Sequence, residues 1–153
     1  MSKPALITLS FTILGEPASK ANQRKLVTFG RGEKARPALI KSDKARAYEA
    51  AAVLQIPAFA KRMLTGELRV TLRIFYASQR PDLDESVILD VLQAKYSKAD
   101  GQGGRRLVRR GVYVNDRQVR EKHVYHAIDK QNPRAEIVVE AFDPQQDEMR
   151  GAA

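Results

Sequence analysis

The sequence has 153 residues, and its 27 Lys and Arg against 18 Asp and Glu give a formal net charge of +9. This length predicts one domain over residues 1–153, and the charge favours an anionic partner, most commonly nucleic acid. The lack of cysteine excludes disulfides, thiolate catalysis and a cysteine-based zinc site, and suits the cytoplasm. We expect neither a signal peptide nor a membrane-spanning segment.

Two predicted strands and a helix account for much of the first half of the chain. Residues 5–14 and 68–76 alternate between apolar and polar side chains, as strands do. Between them, apolar side chains recur at helical spacing after Ser42, which is a suitable N-cap. Pro57 lies inside this pattern, so the helix should kink or restart there.

Two basic segments contain glycines that interrupt regular structure. Residues 18–41 and 97–111 are therefore predicted to be long loops, which are uncommon unless they serve a function. Basic side chains in such loops suit contacts to DNA phosphates, which position a nucleic acid without reading its sequence. The alternative is an ordinary solvated surface. The predicted DNA-binding residues are Lys20, Arg24, Lys25, Lys41, Arg105, Arg106, Arg109 and Arg110.

The second half of the chain predicts a helix from about Asp84 to Tyr96 and two further strands. The strands cover residues 119–128 and 135–142, and a polar tail follows over residues 143–153. The order β-α-β-α-β-β predicts a small mixed α/β (α+β) fold. We expect one sheet of about four strands with two main helices packed on it.

Asp82 and Asp84 are the first candidate metal ligands in the sequence, because they follow a predicted buried strand and precede a helix. Residues two apart in extended backbone point to the same side, so their carboxylates would lie together. Such a pair repels unless a cation lies between its members, and Mg²⁺ takes oxygen ligands of this kind. The alternative is a helix N-cap, a common role for Asp at a helix start.

Asp116 is the third candidate ligand, in the segment Asn-Asp-Arg-Gln. If the turn at Asp116 leads into a strand beside the one that ends at Tyr76, it would complete a cluster of three carboxylates. Asn-Asp also favours an ordinary turn, so both interpretations stay open.

Other familiar sites are not indicated by the sequence. His123 and His126 are the two histidines, and their spacing in a predicted strand places them on opposite sides. Two histidines without cysteine rarely form a zinc site, and we interpret them as structural or DNA-facing. The sequence contains no glycine-rich phosphate-binding motif, so we expect no nucleotide cofactor.

The order of these segments resembles the RusA-like Holliday junction resolvases, which are endonucleases associated with phages and prophages. The resemblance covers roughly residues 5–142 and depends on four segments: Gly15 to Lys20, Asp82-Leu83-Asp84, Val114 to Val119, and Glu136 to Val139. It implies a small mixed α/β fold and a homodimer that binds four-way DNA junctions. It also implies symmetric nicking of two strands with Mg²⁺ or Mn²⁺.

The resemblance assigns the catalytic and metal-binding roles to Asp82, Asp84 and Asp116. Asp90 is a looser match to a further acidic position on the helix. With these residues, the sequence predicts a Mg²⁺-dependent endonuclease that resolves Holliday junctions in DNA recombination and repair, in a cytoplasmic, nucleoid-associated setting of phage or prophage origin.

Two positions depart from the family pattern. Glu85 replaces an asparagine, and Ile88 replaces a lysine that would stabilise negative charge developing on the phosphate. Lys20 or Lys41 could supply a cation instead. The missing lysine and the basic charge keep an alternative function open, a non-catalytic nucleic-acid-binding protein. A small protein-interaction domain is a third.

Overall fold

The computed structural model of the protein describes residues 4–19, 24–80, 83–98 and 103–142. Short 3₁₀ turns at Gly32–Lys34, Ala58–Ala60 and Asp116–Gln118 accompany eight strands and two helices in this part of the chain. In chain order the elements are β1 (Ile7–Leu14), β2 (Arg24–Phe29), β3 (Arg36–Lys41), α1 (Asp43–Gln55), β4 (Leu68–Tyr76), α2 (Ser86–Leu92), β5 (Lys95–Tyr96), β6 (Leu107–Arg109), β7 (Val119–Ile128) and β8 (Arg134–Ala141).

A four-stranded mixed sheet in the order β1-β8-β4-β7 forms the centre of the protein. β8 pairs antiparallel with both β1 and β4, whereas β4 and β7 run parallel. The four-stranded mixed sheet and the two helices confirm the predicted fold class.

One face of the sheet is covered by the helices and holds the core. The alternation in β4 is complete, since its buried positions Leu68, Val70, Leu72, Ile74 and Tyr76 face this core. α2 is apolar almost throughout its length, and five of its seven residues are buried. A helix that is apolar on all sides is usually buried in a core. Asp90, the single acidic residue of α2, is therefore an exception in this helix.

The first helix begins and ends where its sequence signals predict. The Ser42 hydroxyl accepts a hydrogen bond from the Ala45 amide at 3.1 Å, which satisfies an otherwise unpaired donor at the start of α1. α1 ends at Gln55, two residues before Pro57, and the chain restarts as a 3₁₀ turn. No helix in the described ranges is long and apolar enough to cross a membrane.

The first predicted basic loop was wrong for residues 24–41, which form an antiparallel hairpin of β2 and β3. Its residues are exposed or half-buried on both faces, so no apolar alternation marks the strands in the sequence. The pairing sets Arg24 opposite Lys41 at the open end of the hairpin, next to the start of α1.

The second predicted helix was too long, because α2 ends at Leu92 and the chain continues into β5. Backbone bonds to a neighbouring segment replace further helical bonds, from the Val112 amide to Leu92 at 2.8 Å and from the Ala94 amide to Tyr113 at 2.9 Å. The segments approach so closely that a Cβ on Gly111 would lie 2.3 Å from the Ala94 nitrogen. The second predicted loop was also wrong at residues 107–109, where β6 pairs with β5.

Candidate functional site

The parallel pairing of β4 and β7 determines where the predicted acidic residues lie. Val119, the first residue of β7, pairs with Leu68 at the start of β4, so Asp116 lies near that end of the strand. Asp84 follows the other end of β4, after Tyr76. α2 separates the two aspartates along the chain, and its seven residues rise by about 10 Å. The neighbouring strand that the sequence predicted is present, but its direction places Asp116 away from the end of β4.

Asp84 bonds to the backbone just before the second helix. Its Oδ1 accepts a hydrogen bond from the Ser86 amide at 2.9 Å, which is a turn bond to the residue two positions on. The N-cap position of α2 is Glu85, whose side chain makes no capping bond, so Asp84 does not have the helix-cap role. Burial raises the pKa of the neighbouring Tyr76 hydroxyl to about 12, and the negative charges of Asp84, Glu16 and Glu85 contribute to this rise. The turn bond uses one carboxylate oxygen of Asp84. Asp82 lies outside the described residues.

Glu16 and Glu85 near Asp84 already have basic partners. Glu16 accepts hydrogen bonds from the Arg80 guanidinium at 2.6 Å and from the Ala77 amide at 3.0 Å. Glu85 pairs with the Lys122 ammonium at 2.5 Å. These bonds fix the connection between β4 and α2, and they leave Glu16 and Glu85 poorly suited as metal ligands.

Asp116 is held by a compact turn and by α2. The Asn115 side chain accepts from the Arg117 amide at 2.9 Å, and Gln118 Oε1 accepts from the Asn115 amide at 2.8 Å. This reciprocal capping box confirms the turn that Asn-Asp predicted. The Asp116 amide itself donates to Gln93 Oε1 at 2.8 Å, which ties the turn to the residue after α2.

Asp90 is the acidic residue that the structure brings near Asp116. It lies three residues before Gln93, which follows the helix and whose amide donates to the Asp90 carbonyl at 3.3 Å. Burial raises the pKa of the half-buried Asp90 carboxyl, and the charges of Asp116 and Glu49 raise it further, while Lys41 lowers it. The signal in the sequence is one carboxylate within the apolar run Ser-Val-Ile-Leu-Asp-Val-Leu.

Tyr113 forms a rigid support under the two aspartates. It is fully buried, and its hydroxyl donates to the Leu89 carbonyl at 2.6 Å. Burial raises the pKa of this hydroxyl well above its usual range, with contributions from Asp116 and Asp90. Tyr113 therefore stays a neutral hydrogen-bond donor at physiological pH.

A cleft of about 520 Å³ lies between α1 and the β5–β6 ribbon. Lys41 pairs there with Glu49 at 2.5 Å, and the Arg109 guanidinium donates to the Gln93 carbonyl at 3.2 Å. The Arg109 guanidinium also donates to the Val91 carbonyl at 3.5 Å, and Val91 directly follows Asp90, so Asp90 lies next to this space. We call this space the basic cleft; its charged lining residues are Lys41, Arg46, Lys95, Arg109 and Glu49.

The other predicted DNA-binding residues are distributed around this region. Lys25 pairs with Asp43 at 2.9 Å, and the Arg110 guanidinium donates to the Lys61 carbonyl at 3.4 Å. Arg105 and Arg106 are exposed near the β5–β6 ribbon. Lys20 lies outside the described residues. Sequence reasoning missed Arg46, Lys95, Glu49 and Gln93, which carry no motif of their own.

Ile88 is fully buried in α2. A lysine at this position would enter the core rather than face a bound phosphate. The described cations that lower the pKa of Asp90 are instead Lys41 and Arg24, at the open end of the β2–β3 hairpin.

The acidic pair has the donor chemistry that a hard divalent cation requires. Asp90 and Asp116 supply carboxylate oxygens, and Mg²⁺ typically binds one or two carboxylates and keeps several waters. Within the described ranges no group of three His, Asp or Glu residues is arranged to hold a metal ion. Asp90 and Asp116 would thus supply two carboxylates of the kind that such a cation accepts, with water as its other ligands. The two histidines, His123 and His126, lie on opposite sides of β7, as predicted.

No protein-family model matches the chain, and no curated protein matches it.

Proposed function

We propose that this protein is a divalent-metal-dependent endonuclease that acts on four-way DNA junctions. The observation that carries the proposal is the half-buried Asp90 carboxylate near Asp116, beside the basic cleft. Carboxylates hold the metal in such an enzyme, and basic side chains hold the phosphates. This chain has the two kinds of group next to each other.

In this proposal each residue has a separate role. Asp116 and Asp90 would hold Mg²⁺ or Mn²⁺. The resemblance also assigns metal binding to Asp82 and Asp84, which would act as a separate group, because Asp84 follows the opposite end of β4 from Asp116. The bound metal would supply an activated water and polarise the phosphodiester. Gln93 positions Asp116 through its backbone amide.

The assembly and setting follow from the same proposal. Two nicks placed symmetrically across a junction require two active sites, which a homodimer with two-fold symmetry supplies. The setting would be DNA recombination and repair in the cytoplasm, associated with the nucleoid.

The test is the nicking of a synthetic four-way junction in Mg²⁺. We expect wild type to nick two opposed strands, and Asp116→Asn and Asp82→Asn to be slower by at least about 100-fold, as losses of an electrostatic catalytic group are. Asp43→Asn is the matched control, because Asp43 is an exposed helix residue paired with Lys25. Absence of nicking by wild type, or equal nicking by Asp116→Asn, would refute the proposal.

A second function is favoured by two observations, the turn hydrogen bond that occupies the Asp84 carboxylate and the burial of Ile88. Both remove groups that the resemblance assigns to catalysis, which would leave a non-catalytic nucleic-acid-binding protein. This alternative expects salt-sensitive binding to DNA that survives Asp82→Asn, Asp84→Asn and Asp116→Asn together, with no Mg²⁺-dependent cleavage.

A further inference from the structure

The basic cleft has a positive lining. Four of its charged lining residues are basic and one, Glu49, is acidic. Glu49 is itself paired with Lys41 at 2.5 Å, and Arg109 is fixed by carbonyls at the end of α2. Concave surfaces of one charge concentrate counter-ions of the opposite charge. The cleft therefore suits an extended anion rather than an isolated small one.

The positive surface continues past the acidic pair. A second cleft shares Lys95 with the basic cleft and is also lined by Arg105 and Asn115. Asn115 directly precedes Asp116. A chain of phosphates that follows Arg46, Lys95 and Arg105 would thus pass the turn that carries Asp116.

Lys41 is the basic residue best fixed in this cleft. It ends β3, directly before the Ser42 cap, and Glu49 holds its ammonium. Its charge also acts on Asp90. An ammonium at this place can contact the phosphate that lies nearest to Asp90 and Asp116.

We propose that the basic cleft binds the sugar–phosphate backbone of one DNA strand, with Lys41 contacting the phosphate nearest to Asp90 and Asp116. The assignment of that phosphate as the one that is cut rests on the proposed function. The backbone contacts themselves do not, because they need only charge and shape.

The first test is metal-free binding to a four-way junction over a range of salt concentrations. The logarithm of the binding constant falls linearly with the logarithm of the salt concentration, and each lost phosphate contact should make this negative slope less steep by about 0.9. We expect this change for Lys41→Gln and for Lys95→Gln, whose side chain is exposed and whose substitution leaves the fold intact. Lys44→Gln is the matched control, since Lys44 is an exposed α1 residue outside the cleft lining. Unchanged slopes for both cleft variants, or an equal change for Lys44→Gln, would overturn the proposal.

The second test distinguishes a contact to the cut phosphate, proposed for Lys41, from a contact that contributes to binding alone, proposed for Lys95. At saturating protein and with Mg²⁺, the single-turnover nicking rate should fall by about 100-fold for Lys41→Gln. Saturation should bring the rate for Lys95→Gln closer to wild type than the rate for Lys41→Gln, because saturation compensates for weaker binding alone. Lys44→Gln, which lies outside the cleft lining, should nick at the wild-type rate. Equal saturated rates for wild type and Lys41→Gln would overturn the placement of Lys41 beside the cut phosphate.

The two proposals can fail separately. If wild type binds with the expected slopes but never nicks in Mg²⁺, the endonuclease function is wrong and the cleft assignment is supported. If wild type nicks the junction and the cleft variants keep the wild-type slope, the DNA backbone runs elsewhere and only the cleft assignment is wrong.

Discussion

The backbone amide of Asp116 donates a hydrogen bond to the side-chain oxygen of Gln93 at 2.8 Å. This bond joins the turn before β7 to the residue that follows α2, and it brings Asp116 to the end of the helix that contains Asp90. It uses the backbone of Asp116 and leaves the carboxylate available. Gln93 is therefore a positioning residue for the proposed metal site.

Gln93→Ala should loosen Asp116 without removing any charge. We expect nicking of a junction to fall roughly 10-fold, as is usual when a residue that orients a metal ligand is lost, with a higher Mg²⁺ requirement and unchanged metal-free DNA binding. Gln55→Ala is the control, because Gln55 also bonds to backbone, at Leu14, far from the acidic pair in sequence. A purely structural role for Gln93 would lower the melting temperature without changing the Mg²⁺ requirement.

Asp90→Asn should stabilise the metal-free protein at neutral pH. Burial raises the pKa of Asp90 above its ordinary value of 3.8, so the folded state binds the proton more tightly than the unfolded state. The stability of wild type then falls as pH rises from about 3.8 through the folded-state pKa, and the deficit is complete above it.

Thermal melting as a function of pH checks this expectation. The Asp90→Asn protein should melt above wild type at pH 7, and the difference should shrink as pH falls towards 3.8. Asp43→Asn should show no gain, because Lys25 holds the pKa of Asp43 below its usual range. A lower melting temperature for Asp90→Asn at pH 7 without metal would contradict the account.

Ile88→Lys, which introduces the lysine found in the family that the sequence resembles, should destabilise the protein rather than increase nicking. Position 88 is fully buried, and an unpaired buried ammonium costs roughly 3 kcal/mol or more. Ile88→Val is the control and should cost about 1 kcal/mol. Denaturant unfolding measures both. A stable Ile88→Lys variant with faster nicking would show that this position faces the site.

Glu140→Gln tests the ion pair on the open face of the sheet. The Arg69 guanidinium donates to both oxygens of Glu140, at 2.9 and 2.8 Å, and these bonds hold the pKa of Glu140 below its ordinary value of 4.5. A lowered folded-state pKa gives stability that is present above 4.5 and is lost as pH falls through the folded-state pKa.

We therefore expect Glu140→Gln to lose roughly 2 kcal/mol of unfolding free energy at pH 7. The loss should shrink once the pH falls below 4.5. Glu33→Gln is the control, because Glu33 is exposed in the turn of the β2–β3 hairpin. A loss of equal size at every pH would mean that packing, not charge, connects Glu140 to the sheet.

The sequence was sufficient to predict those helices and strands that bury one face in the core. The alternation in β4 and the cap at Ser42 predicted a strand and a helix start that the structure confirms. The β2–β3 hairpin was not predictable in this way, because strands exposed on both faces need no apolar alternation. The early end of α2 depends on bonds to residues 112–113, which are distant in sequence.

The candidate site was predictable only in part for a similar reason. The turn at Asp116 and the strand after it were predicted correctly, but neither the pairing of that strand with β4 nor its parallel direction could be deduced from the turn. Direction decides whether Asp116 lies near Asp84 or near Asp90. The long-range contact of Gln93 and the cleft lined by Lys95 have no local signal.

The most direct test of the account locates the metal on the polypeptide. Fe²⁺ replaces Mg²⁺ in the protein without DNA, ascorbate and peroxide generate hydroxyl radicals at the bound ion, and mass spectrometry maps the cut backbone. We predict cuts around Asp90 and Asp116 that excess Mg²⁺ suppresses and that Asp90→Asn with Asp116→Asn abolishes. Cuts confined to the segment around Asp84, or cuts that survive the double substitution, would contradict the central claim that Asp90 and Asp116 hold the metal.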